Sequence, residues 1–435
     1  MKKLFILALS GLLCLGLVGC GSTDNETPNE TPDPGTSTEK ETITVWAWDP
    51  NFNVAALNEA KEIYEANNTD VHIEVVEYAQ ADIIQKLNTS LGSGTDSGLP
   101  DAVLIEDYRA QTFLQAYPDA FYDLSSVTEG NKFSSHKLGF MEKDGKRYGV
   151  PFDNSAAVLY YRLDLIEKAG YTEEQMNNMT WEEFIKLGEA LKEKTGTNLL
   201  TLDPNDVGQI RMMLQSANTW YVKEDGKTPN FTDNEVLEYA INIYLELLNS
   251  GNATIVSEWS QFVGAPNNGD VATVPTGCWF TPSIAQAEDQ SGLWRVAPFP
   301  RLEKISNSVN ASNLGGSSFY VLNNDNSEET KKFLEETFGT SVEFYQNILE
   351  SNNIIATFNE ATQGDMYQAE SEFFGGQKIY SNIQEWSANI PAINYGLHTY
   401  ESEDILKAGL QNIIAGQSIQ DELKNMQQQA EAQFK

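Results

Sequence analysis

Three apolar runs in this chain end in groups suited to holding a polyhydroxylated molecule. Ile43-Thr44-Val45-Trp46-Ala47 runs into Trp48 and Asp49, Ala102-Val103-Leu104-Ile105 runs into Glu106 and Asp107, and Arg147-Tyr148-Gly149-Val150-Pro151 runs into Phe152, Asp153 and Asn154. An aromatic face covers an apolar C–H patch, while carboxylate and amide oxygens accept hydrogen bonds from hydroxyls. Signatures of other chemistry are missing: there is no G-x-S-x-G elbow, no G-x-x-x-x-G-K-[ST] phosphate loop and no H-E-x-x-H. The three histidines, His72, His136 and His398, are scattered. A His-rich metal site or a nucleophile–histidine–acid relay therefore has little to work with. A carboxylate-only calcium site and a glycosidase pair stay open by counting, though no pair of carboxylates stands out by spacing.

These residues need elements to position them. Ile43 to Trp48 is β-branched and apolar, as a buried strand is, and Trp46 and Trp48, two apart, share one face. Trp46 is expected in the core and Trp48, with Asp49, at the strand's open end. Next come a helical pattern from about Asn53 to Ala66, an alternating strand from Val71 to Tyr78, a second helix through Ile83, Ile84, Leu87 and Leu91, and a buried strand from Pro100 to Asp107. Strands alternating with helices predict a parallel sheet, with ligands outside the carboxyl ends of its strands. Helices dominate from Asp164 to about Asn249, and Thr180-Trp181-Glu182-Glu183 and Thr232-Asp233-Asn234-Glu235 both read as capping boxes. Further strands are expected at 271–275, 296–300 and 315–322, and helices at about 328–338 and 420–433.

The 435 residues carry 63 acidic and 28 basic side chains, a formal net charge of −35. That balance argues against nucleic acid and anionic lipid surfaces, which demand positive charge. Lys2 and Lys3 precede an apolar run from Leu4 to Val18, too short for a retained spanning helix. The run closes in Leu17-Val18-Gly19-Cys20, which resembles a bacterial lipobox and marks Cys20 for lipidation. The polar stretch from Gly21 to Thr42 reads as a disordered tether. Of the cysteines, Cys14 and Cys20 lie in the leader, leaving Cys278 alone in the folded body.

Lipobox, tether and the ITVWAWD strand together resemble the sugar-binding lipoproteins of bacterial ABC transporters, relatives of maltose-binding protein. Leu99-Pro100-Asp101-Ala102-Val103-Leu104, Tyr148-Gly149-Val150-Pro151, Leu159-Tyr160-Tyr161-Arg162 with Thr180-Trp181-Glu182-Glu183-Phe184, Gly269-Asp270-Val271-Ala272 through Gly277-Cys278-Trp279, and Gly315-Gly316 match that family's motifs in order. Thr273 stands where the family has Met, a matter of the core. The resemblance implies an α/β, two-lobed periplasmic-binding-protein fold. Each lobe would be a mixed sheet flanked by helices, and three crossovers would form the hinge. It places a signal peptide at 1–19, the lipidated Cys and tether at 20–42, lobe one at 43–153 plus 298–338, and lobe two at 155–297 plus 339–435. It implies ligand contacts at Trp48, Asp49, Asn51, Gln80, Glu106, Asp107, Tyr108, Arg109, Phe152, Asp153, Asn154, Trp279, Trp386 and Tyr395. Trp279 matches the stacking tryptophan; Asp206 and Gln209 fall near a further contact but are not carried over.

The resemblance further implies a carbohydrate-binding, non-enzymatic monomer without cofactor, partnered by permease subunits and anchored outside the membrane of a Gram-positive cell. Aromatic residues at strand ends favour a sugar, an oligosaccharide in particular, with β-linked or pentose-containing chains suggested by ITVWAWDPNFN. A non-sugar solute such as a peptide, or a secreted glycoside hydrolase, are the other readings.

Overall fold

The computed structural model describes residues 40–434. In chain order its main elements are β1 (Glu41–Ala47), α1 (Asn53–Asn67), β2 (Val71–Glu77), α2 (Gln80–Ser93), β3 (Ala102–Glu106), α3 (Asp107–Ala116), β4 (Gly149–Pro151), β5 (Ala156–Arg162) and α4 (Trp181–Thr195). Then come β6 (Leu200–Leu202), α5 (Gly208–Ser216), α6 (Glu235–Asn249), β7 (Ala253–Ile255), α7 (Trp259–Asn267), β8 (Thr273–Gly277), β9 (Trp294–Pro298), β10 (Ser312–Asn313) and β11 (Ser317–Val321). The chain ends in α8 (Ser327–Glu336), α9 (Val342–Asn352), α10 (Ile379–Ser387), α11 (Thr399–Ile414) and α12 (Ile419–Gln433).

Two sheets define two lobes. The first runs β2-β1-β3-β11-β4, parallel between β1, β2 and β3 and antiparallel at β11 and β4, so it is mixed. β3 and the second half of β1 are buried on both faces and read as continuous apolar runs, whereas the edge strand β2 (VHIEVVE) alternates. The second is antiparallel about β5, which pairs with β8, β9 and β10. A parallel pair, β6 with β7, sits beside it and is tied to it by a bridge between Asn198 and Val271.

The chain passes first between lobes at 152–155, from β4 to β5. The second passage is later than the expected 298. Residues 299–313 stay with the second lobe, where Trp181 N and Arg301 N donate to Arg301 O and Met179 O (2.9 and 3.1 Å) and Ser312 pairs with Ala157. The crossing is therefore at Leu314–Gly316. The stretch after 339 also departs from expectation: α9 packs on α1, and Asn347 Nδ2 donates to Glu59 at 2.6 Å. The chain rejoins the second lobe by Phe373, whose carbonyl accepts from Gly292 N at 2.9 Å. At the other end β1 begins at Glu41, so the strand takes in the last two residues of the predicted tether. The leader and Cys20 lie outside the described residues.

Of the two capping boxes, Thr180 forms its own: Thr180 Oγ1 accepts from Glu183 N (3.2 Å) and Glu183 Oε2 accepts from Thr180 N (3.1 Å). Thr232 does not. Asn234 caps α6, its Oδ1 accepting from Leu237 N at 3.0 Å. Its Nδ2 also donates to Trp220 O and Asn230 O, and this tertiary anchoring fixes the helix start two residues later.

Candidate functional site

A cleft of about 460 Å³ opens beside the second crossing, floored by Leu314 and Gly315. Its aromatic wall follows from β8. That strand ends at Gly277, and the next turn delivers Trp279. A Cβ at Gly277 would overlap the indole, so glycine is what lets the ring lie back over the strand end. Trp279 Nε1 donates to Leu314 O at 2.8 Å, fixing the ring to the crossing. Beside it stands Trp259, 57% exposed, its ring centroid 6.0 Å from Trp279 and stacked on Phe262 at 5.5 Å and 15°. Phe280 supports both indoles edge-on.

The polar wall comes from the start of α5 and the loop before it. Asp203, at the end of β6, and Asp206 line the cleft with Glu258 at the head of α7. Asp206 Oδ1 accepts from Gly208 N (2.8 Å), occupying the helix start, and Asp203 Oδ1 accepts from Asn205 N (2.9 Å). Gln209 donates Nε2 to Pro275 O at 2.9 Å, and its Oε1 is buried with no hydrogen-bond partner. Arg211 is gripped by both carboxylate oxygens of Glu403 at 2.5 Å. Burial works against its charge, but the Glu403 carboxylate outweighs it and keeps the guanidinium protonated. The same guanidinium lies 4.8 Å from the Tyr108 ring centre, so the cleft wall continues into the first lobe.

The residues predicted on the first lobe separate into two groups. Trp48, Gln80, Glu106 and Arg109 come together around one small recess. The backbone N–H groups of Trp48 and Asp49 both donate to Asn53 Oδ1 at 3.0 Å, and Asp49 Oδ1 accepts from Asn51 N at 2.9 Å, which shapes the turn after β1. Glu106 accepts from Tyr400 OH at 2.6 Å, and the Arg109 guanidinium covers the Tyr400 ring at 3.9 Å.

The second group is turned inward. Asp107 is inaccessible, ion-paired with the equally inaccessible Lys137, and accepts from Ser318 Oγ (2.8 Å). Burial pushes its carboxyl up to about 6, with Lys137 pulling the other way. Asp153 accepts from Ser317 N, Ser317 Oγ and Ser155 Oγ, all at 2.8 Å. Asn154 donates to Ser387 Oγ (2.8 Å) and accepts from Ala156 N (2.9 Å). Phe152 is fully buried among Phe52, Phe319 and Phe338. These four hold the crossing together; their lone pairs and faces are already engaged by the chain, so they do not present themselves to a ligand. Tyr108 and Tyr395 are likewise packing residues. Their rings meet at 4.7 Å, Tyr108 also stacks on Trp220 and accepts from Gly315 N (3.1 Å), and Tyr395 stacks on Phe140. Trp386 is half-buried on α10, away from the cleft lining.

Sequence reasoning missed Trp259, Phe262, Glu258, Asp203 and Arg211, and passed over Asp206 and Gln209. The one local signal was the pair of aromatics three apart, Trp259 and Phe262, which share a helix face.

Known proteins share this frame. The profile of the bacterial extracellular solute-binding proteins matches residues 59–375. A lactose-binding protein of Rhizobium radiobacter is 40% identical over 393 residues, 90% of this chain and 93% of its own. An arabinooligosaccharide-binding protein of Bacillus subtilis is 26% identical over 334 residues, 74% and 72% of the two chains. Among solved structures, the sugar-binding protein MalE from Xanthomonas citri superposes with a TM-score of 0.76 at 19% identity, over 90% of this chain and 97% of its own. The galacto-N-biose-/lacto-N-biose I-binding protein of Bifidobacterium longum does so with 0.71 at 22%, over 90% and 96%. The two-lobed fold and the run of matched residues agree: the chain belongs to the bacterial extracellular solute-binding protein family.

Proposed function

We propose that the protein captures a carbohydrate, an oligosaccharide, between its two lobes outside the cell and delivers it to the permease of an ABC importer. The observation that carries this is the pairing, in one cleft, of two adjacent indoles, Trp259 and Trp279, with a wall of acceptors, Asp203, Asp206 and Glu258. Sugar C–H faces stack on the rings and hydroxyls donate to the oxygens; a buried hydroxyl left unpaired would cost about 1–3 kcal/mol, so the acceptor set selects the sugar. Trp48, Asp49, Asn51, Gln80, Glu106 and Arg109 would meet the ligand from the first lobe. A ligand touching both lobes favours their closed arrangement, which is what the permease would read. No bond is broken in this cycle. The relatives' names point to lactose and arabino-oligosaccharides as the first ligands to try. Lipidation at Cys20, a monomeric state and a Gram-positive host complete the reading.

The test is the thermal melt of residues 40–435 against a sugar library. A ligand at 100 times its dissociation constant adds about 2.7 kcal/mol to the native state. A shift with one oligosaccharide class, lost in Trp279→Ala, supports the proposal. A shift with peptides alone overturns the sugar assignment, and turnover of an oligosaccharide overturns the binding-only reading.

A further inference from the structure

The cleft that would take the sugar has an uneven charge. Asp203, Asp206 and Glu258 bring three carboxylates to its lining, and none of the three has an ion-pair partner among the described residues. Arg211 is the single basic side chain in that lining, and it is committed to Glu403 through two bonds of 2.5 Å. The start of α5, where backbone N–H groups would otherwise welcome an anion, is filled by the Asp206 carboxylate. The cations of the neighbouring first-lobe wall are matched in the same way. Arg109 faces Glu106 at 3.4 Å and Lys137 is held by Asp107. Among the described residues, no positive charge lining the cleft is left over for a ligand, while negative charge is.

We propose that the cleft is a charge filter: it accepts uncharged oligosaccharides and turns away the same chains bearing a uronate, sulfate or phosphate group. This rests on the carbohydrate reading above. An anionic substituent entering the cleft loses its hydration, meets carboxylates and finds the guanidinium there engaged, so it is repelled without compensation. The rejection weakens as salt screens the carboxylates, since the Debye length falls from about 30 Å at 0.01 M to about 10 Å at 0.1 M. The uncharged chain, held by stacking and hydroxyl bonds, has no such dependence.

The experiment compares dissociation constants for lactose, β-1,6-galactobiose and arabinobiose, each beside its mono-O-sulfate, at 10 and 300 mM sodium chloride. It uses the protein and the variant carrying Asp206→Asn and Glu258→Gln. Asn at 206 keeps an oxygen to accept from Gly208 N. The expected result is at least tenfold weaker binding of the sulfate at low salt. That ratio of sulfate to parent should shrink to about threefold at high salt and again in the variant, each ratio being taken against the parent sugar on the same protein. Sulfated chains that bind as tightly as their parents overturn the filter and leave the sugar reading standing. A weakened sulfate whose ratio moves with neither salt nor the variant reports steric exclusion and also overturns it. If no parent sugar binds, the carbohydrate reading falls and the filter with it.

Discussion

Trp279 and Trp259 share a cleft but stand in different relation to the fold. Trp279 is half-buried and bonded to Leu314, whereas Trp259 is mostly exposed and rests on Phe262. Trp259→Ala is therefore predicted to weaken ligand binding by about 2 kcal/mol, roughly thirtyfold, from some 80 Å² of lost stacking area, while leaving the melting temperature of the free protein unchanged. Trp279→Ala is predicted to lower both, and calorimetric titration beside a melt separates the two. The place of Trp279 at a strand end was legible because it sits directly behind β8 in a recognisable motif. The internal partners of Asp107, Asp153 and Asn154 were not legible for a physical reason: a polar side chain after a strand looks the same whether its partner is a ligand hydroxyl or a serine 164 residues away, as Ser317 is from Asp153. His136 supplies a prediction on pH. Its ring is buried with neither nitrogen bonded, and burial lowers it to about 3, with Lys137 adding to the effect. The unfolded chain takes up a proton near pH 6.5 that the native state refuses. Stability from this group is present above pH 6.5 and is lost as pH falls toward 3, at about 1.4 kcal/mol per unit. His136→Leu should remove that slope. Its melting temperature relative to the parent should rise between pH 7 and pH 5, and parallel curves would refute the assignment.

Elements differ in how far their own residues decide them. The box at Thr180 is local, two reciprocal bonds within four residues, and it formed where the sequence placed it. The equivalent spacing at Thr232 lost to Asn234, which is held from outside by Trp220 and Asn230. Thr180→Ala is accordingly predicted to destabilise by about 1 kcal/mol and Thr232→Ala by less than about 0.5 kcal/mol, measured by urea denaturation. The crossing at Leu314–Gly316 is the element most sensitive to a single methyl. Gly316 has φ +103°, and a Cβ there would stand 2.5 Å from the Asp107 carboxylate and 2.8 Å from Lys137 Nζ. Gly316→Ala is predicted to destabilise by more than about 2 kcal/mol through strain and a disturbed buried ion pair, where Gly292→Ala, with open space around it, loses only the strain of its φ. The Gly315-Gly316 pair was visible in the sequence; that it is itself the crossing, well past the expected boundary at 298, was not. Residues 299–313 are held to the second lobe by backbone bonds to Met179 and Trp181, and such pairings leave no periodic trace.

At the scale of the molecule the lobes meet both at the crossings and away from them. Tyr400 bonds Glu106, Thr112 Oγ1 donates to Leu397 O at 2.7 Å, and Tyr108 packs between Trp220 and Tyr395. If ligand draws the lobes together, small-angle X-ray scattering should show a smaller radius of gyration on adding the bound sugar, and an unchanged radius would refute closure in solution. The alternation of strands and helices up to residue 116 made the first lobe legible, since β2 and β3, both close to β1 in sequence, pair directly with it. The second lobe was harder because β5 takes partners more than a hundred residues away, at β8, β9 and β10. The position of β11 has a further consequence, for the order of events during synthesis. It lies between β3 and β4 in the first sheet, so β4 has no strand to pair with until Ser317–Val321 has been made. The front half of the chain, although first off the ribosome, therefore waits for the back half before its sheet can close.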